Sequence, residues 1–128
     1  MPRDDRFPLA LVIEDEPDIS ALFREILEEE GWEIVVAASV SAAQRLISQL
    51  RRPPSLVVLD QRLPDGRGLS LVLGLRRRFP DTRILLVTGA RALTRELEGS
   101  LVDAVFHKPI ELKRFLSEVH VAGGSVVG

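Results

Sequence analysis

A doubly wound α/β domain with five parallel strands, in three layers, is the fold this sequence predicts, and two observations predict it. Short, nearly continuous apolar runs recur at residues 9–13, 33–37, 56–59, 83–87 and 102–106, the pattern of strands covered on both faces. Segments with apolar residues at helical spacing alternate with them. Repeated β-α units close into a parallel sheet with right-handed crossovers and helices on both sides, the flavodoxin-like arrangement. The 128 residues, 45% hydrophobic and 28% charged, are enough for one core and one domain.

Each helix has its own start and stop signals. The first carries the stripe Ile19, Leu22, Phe23, Ile26 and Leu27, begun by Pro17 and stopped by Gly31. Trp32 then covers the junction with the second strand. Ala42, Ala43, Leu46, Ile47 and Leu50 form the second stripe, capped by Ser39 or Ser41 and closed by Pro53 and Pro54. Leu69, Val72, Leu73 and Phe79 predict a third helix ending before Pro80. A fourth, within residues 90–99, is anchored only by Leu93 and Leu97. Leu112, Phe115, Leu116 and Val119 predict a last helix opened by Pro109. Arg51-Arg52 and Arg76-Arg77-Arg78 are read as last-turn cations suited to the helix dipole. Residues 1–8 read as an extension, 9–121 as the domain, and 122–128 as a flexible tail or the start of a linker.

Composition excludes several function classes. With no cysteine, disulfides, thiolate zinc sites and cysteine nucleophiles are ruled out, in keeping with a reducing compartment. The N-terminal residues have no apolar core of signal-peptide length and no run approaches the roughly 18 residues of a membrane span, so a cytoplasmic protein without a membrane partner is expected. A net charge of −2 and a pI near 5.7 give no general attraction to nucleic acid.

In a sheet of this kind the ligand site lies beyond the carboxyl ends of the strands, where strand order reverses. Those ends carry Glu14-Asp15-Glu16, Asp60, Thr88-Gly89 and Lys108-Pro109. Two carboxylates about 4 Å apart repel by ~1 kcal/mol in water and ~4 kcal/mol at an effective dielectric of 20, so such a cluster invites a divalent cation. Oxygen ligands alone favour Mg²⁺ or Mn²⁺ over zinc. A magnesium ion so held serves a phosphoryl group, with Asp60 as the nucleophile. Lys108 would pair with the added charge and the Thr88 hydroxyl would bond a phosphate oxygen.

The runs "LVIEDEPDI", "LVVLDQRLPDGRGL", "LLVTG" and "VFHKPI", in this order at successive strand ends, resemble the receiver domain of two-component response regulators over residues 9–121. The resemblance implies that Asp60 is the phosphorylated aspartate. It implies that Asp15 and Asp60 bind the metal, with Glu14 helping through water and the backbone carbonyl of Arg62 completing the protein ligands. It further implies phosphoryl contacts from Thr88 and Gly89, a charge pair from Lys108, and a cis bond before Pro109. The implied partners are a histidine kinase, a phosphotransfer protein or a small phosphodonor, and a second copy or an effector on the face of the fourth helix, fifth strand and fifth helix. Such a chain is a signalling phosphoprotein, not an enzyme beyond its own phosphorylation and dephosphorylation.

Two positions depart from the family pattern. Val105 stands where the family usually has Tyr or Phe as a switch residue, and Phe106 points to the opposite face. Arg62 is a bulky cation two residues beyond the acceptor. The alternative they raise is a receiver-like interaction module that works without phosphorylation. A dinucleotide-binding enzyme would need a glycine-rich or hydroxyl-rich phosphate loop after the first strand, where three acids stand. An aspartyl-phosphate hydrolase would place a second Asp at the position of Arg62.

Overall fold

The computed structural model describes residues 7–89 and 101–123. Its main sheet is fully parallel, with strands β1 (Leu9–Ile13), β2 (Glu33–Ala37), β3 (Leu56–Asp60), β6 (Arg83–Thr88) and β7 (Ala104–His107) in the order β2-β1-β3-β6-β7. Two two-residue strands, β4 (Arg62–Leu63) and β5 (Gly66–Arg67), form a small antiparallel hairpin directly after β3. The three central strands are buried along their whole length or nearly so, as their apolar runs require.

Alternation along each strand divides the core in two. Leu11, Ile13, Val57, Leu59, Ile84 and Leu86 face α2 (Val40–Gln49) and α3 (Val72–Arg78), meeting Ala43, Ile47, Leu75 and Phe79. Ala10, Val12, Val58, Leu85, Val87 and Phe106 face α1 (Pro17–Glu29) and the C-terminal helix (Leu112–Ala122), meeting Phe23, Leu27, Phe115 and Val119. The Phe115 ring lies 5.3 Å from that of Phe23 and 5.8 Å from that of Phe106, so it ties both helices to β7. Trp32 is buried in this second core at the junction of α1 and β2.

Both ends of α1 and the start of α2 follow the expected chemistry, and departures come further on. Pro17 opens α1, and Gly31 leaves it at φ 89°, a left-handed conformation that glycine adopts without a Cβ penalty. Of the two candidate caps on α2, Ser39 takes the role, its hydroxyl accepting from the Ala42 amide at 3.0 Å. The third helical segment begins as a 3-10 turn, Gly68–Leu71. With three residues per turn instead of 3.6, that turn shifts the inward face, so Leu71, Val72 and Leu75 are buried while Leu73 is half exposed. Leu22 and Leu112, also expected inside, sit at the edges of their stripes and face solvent.

The last helix starts at Leu112, not Pro109; Lys108-Pro109 is a cis peptide, and residues 108–111 form the turn that leads into it. Arg51 and Arg52 lie beyond the end of α2 and outside its last turn. Arg52 instead fastens the sheet edge, donating to the Phe7 carbonyl and the Glu33 carboxylate, each at 2.8 Å. The Arg76-Arg77-Arg78 cluster does occupy the last turn of α3. The expected fourth helix, with Leu93 and Leu97, lies outside the described residues.

Candidate functional site

Strand order reverses between β1 and β3: the chain leaves β1 toward β2 on one side, and β3 lies on the other. The carboxyl ends of these two strands therefore flank a crevice. Glu14 and Asp15 follow β1 and Asp60 ends β3. One carboxylate oxygen from each of the three lies within 4.8 Å of the others. Glu14 and Asp60 are buried and Asp15 is exposed. Glu16 does not join them; it caps α1 through its backbone, its carbonyl accepting from the Ile19 and Ser20 amides at 3.1 and 3.0 Å.

From the other side of β3, Lys108 reaches in, with Nζ 3.4 Å from Asp60 Oδ2. Thr88, buried at the end of β6, is one residue past Val87, the partner of Asp60 in register. The backbone carbonyl of Thr88 accepts from the Lys108 amide at 3.0 Å, fixing the two residues to each other. Gly89 follows in the open, and a Cβ there would meet nothing within 4 Å. Arg62 donates its amide to Asp60 Oδ1 at 3.3 Å. The expected residues Glu14, Asp15, Asp60, Arg62, Thr88 and Lys108 are thus gathered at one end of the sheet.

Burial at this crowded site has a consequence for Glu14. Glu14 titrates near 7 instead of 4.5, chiefly because burial penalises its charged form and secondly because Asp60 is close, against the opposing hydrogen bond from the Glu16 amide. Its Oε1 is buried without a hydrogen-bond partner among the described residues. A buried, unpartnered carboxylate oxygen beside two more carboxylates is the donor set a hard divalent cation fits. A carboxyl with a raised pKa contributes stability that is fully present below 4.5 and lost as pH rises through about 7. Glu14→Gln should therefore raise the melting temperature of the metal-free protein most at pH 8, and weaken Mg²⁺ binding in a titration followed by amide shifts near Asp60. A variant that loses stability at pH 8, or binds Mg²⁺ unchanged, would contradict that balance.

Two residues that sequence reasoning left aside pack around Asp60, and a third ties the hairpin after it to α2. Gln61 is buried, and its amide continues the β3 ladder to the Val87 carbonyl at 3.0 Å. Its Oε1 accepts from the Leu69 amide at 3.0 Å and its carbonyl from the Gly68 amide at 2.9 Å, so the hairpin folds back onto the acceptor. Gly68 passes so close that a Cβ would lie 2.2 Å from the Asp60 carbonyl oxygen. The spaced glycines of "DGRG" were the only signal for it. Asp65, at the hairpin tip, accepts from the Val40 amide at 2.7 Å and the Ser41 amide at 2.9 Å, capping α2 from outside the helix.

The Ser41 and Val40 amides hold the Asp65 carboxyl below its usual 3.8. Its contribution to stability is accordingly present above pH 3.8 and lost as pH falls through the lower folded value. Acid melts of Asp65→Ala should show a lower melting temperature at neutral pH and a shallower decline on the acid side. Parallel curves displaced by a constant amount would show that the cap does not titrate with folding.

Comparison with known proteins places this geometry among others. The family model for the response regulator receiver domain matches residues 10–120. The chain is 33% identical over 115 residues to the response regulator protein PilR of Pseudomonas aeruginosa, covering 88% of this chain and 25% of PilR. It is 44% identical over 96 residues to the photosynthetic apparatus regulatory protein RegA of Cereibacter sphaeroides, covering 75% of this chain and 50% of RegA. The chain thus spans a quarter to a half of these relatives. Among solved structures, the Thermotoga maritima response regulator TrrA in complex with Mg²⁺-BeF aligns with TM-score 0.78 and 28% identity, over 91% of this chain and 99% of that one. The non-phosphorylated HemR receiver domain of Leptospira biflexa aligns with TM-score 0.78 and 26% identity, over 94% and 98% of the two chains.

Proposed function

The chain belongs to the receiver domains of response regulators, and from that membership we propose that Asp60 is its phosphoacceptor, served by Mg²⁺ or Mn²⁺ on Glu14, Asp15, Asp60 and the Arg62 carbonyl. The observation that carries this reading is the buried Asp60 side chain, set within 4.8 Å of two other acids and 3.4 Å from Lys108. A carboxylate oxygen of Asp60 attacks phosphorus, and the bond to the donor's nitrogen or oxygen breaks with its electron pair leaving on the donor. When bound, the cation supplies charge neutralisation that lets an anionic phosphoryl group approach three carboxylates. Lys108 Nζ, already aimed at Asp60 Oδ2, donates to a phosphoryl oxygen, and the Thr88 hydroxyl and Gly89 amide donate to others.

Such a domain is a signalling phosphoprotein that turns over nothing but its own acyl phosphate. Its donors are a histidine kinase, a phosphotransfer protein or a small phosphodonor in the cytoplasm; no helix among the described residues is long and apolar enough to cross a membrane. Relatives such as RegA carry regulatory names, which supports a regulatory output, with an effector or second copy docking beside β7 and the C-terminal helix. Incubation with acetyl phosphate and Mg²⁺ tests the chemistry. One acid-stable, base-labile phosphoryl group by intact mass is expected. No mass gain under conditions that label a control receiver would overturn it in favour of a module that signals by binding alone.

A further inference from the structure

His107 lies outside the set of residues gathered around Asp60, yet its placement beside Thr88 is specific. The two residues are partners in the parallel register of β6 and β7. On β6, Ile84 and Leu86 face the α2 and α3 side of the sheet, and on β7 Val105 packs against the same core. Side chains alternate along a strand, so Thr88 and His107 project from that same face on adjacent strands. Neighbouring parallel strands are about 4.8 Å apart, so the two side chains are next to each other. His107 is half buried, and its Nδ1 is buried with no hydrogen-bond partner among the described residues. A polar atom in that position is out of balance. Val105, its neighbour on the same face, carries no polar group that could answer it.

We propose that His107 carries the movement of Thr88 out of the site, its Nδ1–H donating to the Thr88 hydroxyl oxygen once that hydroxyl donates to a phosphoryl oxygen on Asp60. The inference rests on the phosphoacceptor reading above. A threonine hydroxyl has one proton and two acceptor lone pairs. When its proton turns toward the phosphoryl group, its oxygen is left facing outward as an acceptor, and the phosphoryl charge strengthens that acceptor through the chain of hydrogen bonds. The backbones of the two strand ends are tied by the Lys108 amide to the Thr88 carbonyl at 3.0 Å, so the response falls on the side chains. The imidazole follows the hydroxyl toward β6 and settles as the Nδ1–H tautomer. It thereby changes the surface that β7 presents, a positioning role that needs no ring at Val105.

Imidazole ¹⁵N resonances, recorded with Mg²⁺ present before and after adding beryllofluoride, test this. The His107 Nδ1 signal is expected to move to the protonated-tautomer position, while those of His120, remote in the C-terminal helix, stay in place. In His107→Asn, whose side-chain amide keeps a donor near the Nδ1 position, amide shifts in β7 and the C-terminal helix should persist on beryllofluoride addition. In His107→Leu they should be lost, while shifts beside Asp60 remain in both. Beryllofluoride binding in the wild type, shown by shifts near Asp60 that Asp60→Asn lacks, with unmoved His107 nitrogens would overturn the proposal and leave the phosphoacceptor reading intact. No binding at all would remove that reading and this inference with it.

Discussion

Asp60→Asn will gain no phosphoryl group from acetyl phosphate and Mg²⁺, and without divalent cation it will melt at a higher temperature than the wild type. The first result follows because an amide oxygen is no nucleophile toward phosphorus, and Glu14 and Asp15 follow β1, not β3, whose end the Lys108 ammonium faces. The second follows from comparing two opposed terms. At an effective dielectric of 20, two charges 4.8 Å apart repel by about 3 kcal/mol. Asp60 has two such neighbours, although partial protonation of Glu14 near neutral pH reduces the sum. Against this stands the ion pair with Lys108 at 3.4 Å, which at the same dielectric attracts by about 5 kcal/mol, less than the two repulsions together once Glu14 is ionised at pH 8. Repulsion outweighs attraction, so losing the charge stabilises the empty protein. Intact mass and thermal melts at pH 8 read both effects. Labelling of the Asn variant would move the acceptor elsewhere, and a lower melting temperature would mean that the lysine pair dominates.

Gly68 and Gly74, six residues apart, will respond to alanine substitution with opposite sign. Gly68→Ala puts a Cβ 2.2 Å from the Asp60 carbonyl oxygen and 2.9 Å from the Leu59 side chain. The nearest atom is backbone at the end of β3 and cannot rotate away, so the hairpin must lift from the strand. Overpacking of this kind typically costs about 1–3 kcal/mol, and a backbone obstacle puts it at or above the upper end. That corresponds to a fall in melting temperature of roughly 10 °C. Because Gly68 also donates its amide to the Gln61 carbonyl, lifting the hairpin displaces the residues flanking Asp60, and phosphorylation slows as well. Gly74, within α3, would meet nothing with a Cβ. There alanine removes backbone freedom from the unfolded chain and should stabilise by about 0.5–1 kcal/mol. Thermal melts of the two variants decide the matter, and equal losses would show that the close approach at Gly68 is relaxed in solution.

Much of the candidate site was legible because it obeys rules of short range in sequence. An acid directly after a buried apolar run, as at Asp60, announces a strand end at the sheet's carboxyl edge. So do Glu14 and Asp15 after β1 and Lys108 after β7, and a parallel sheet brings such ends together by topology alone. The residues that escaped notice act across distance. Asp65 reads as turn chemistry within "LPDG", yet its partners are the amides of Val40 and Ser41, 25 and 24 residues away. Gln61 reads as one more loop amide, although it is buried and its side chain accepts from the Leu69 amide. The phase of the third helix was misjudged by Leu73 because periodicity counts 3.6 residues per turn from the start, whereas the segment opens with a 3-10 turn.

By itself the sequence determined the layer architecture, the five main strands, the start and stop of the first helix and the set of chemically active residues, since these depend on local period, turn chemistry and residue type. Tertiary structure alone decided how close those residues come and what surrounds them. The raised pKa of Glu14, the Lys108 to Asp60 approach and the pairing of His107 with Thr88 all arise from segments distant along the chain. Burial and Coulomb energies depend on separations of a few ångströms between such segments, and no pattern within one segment encodes that separation.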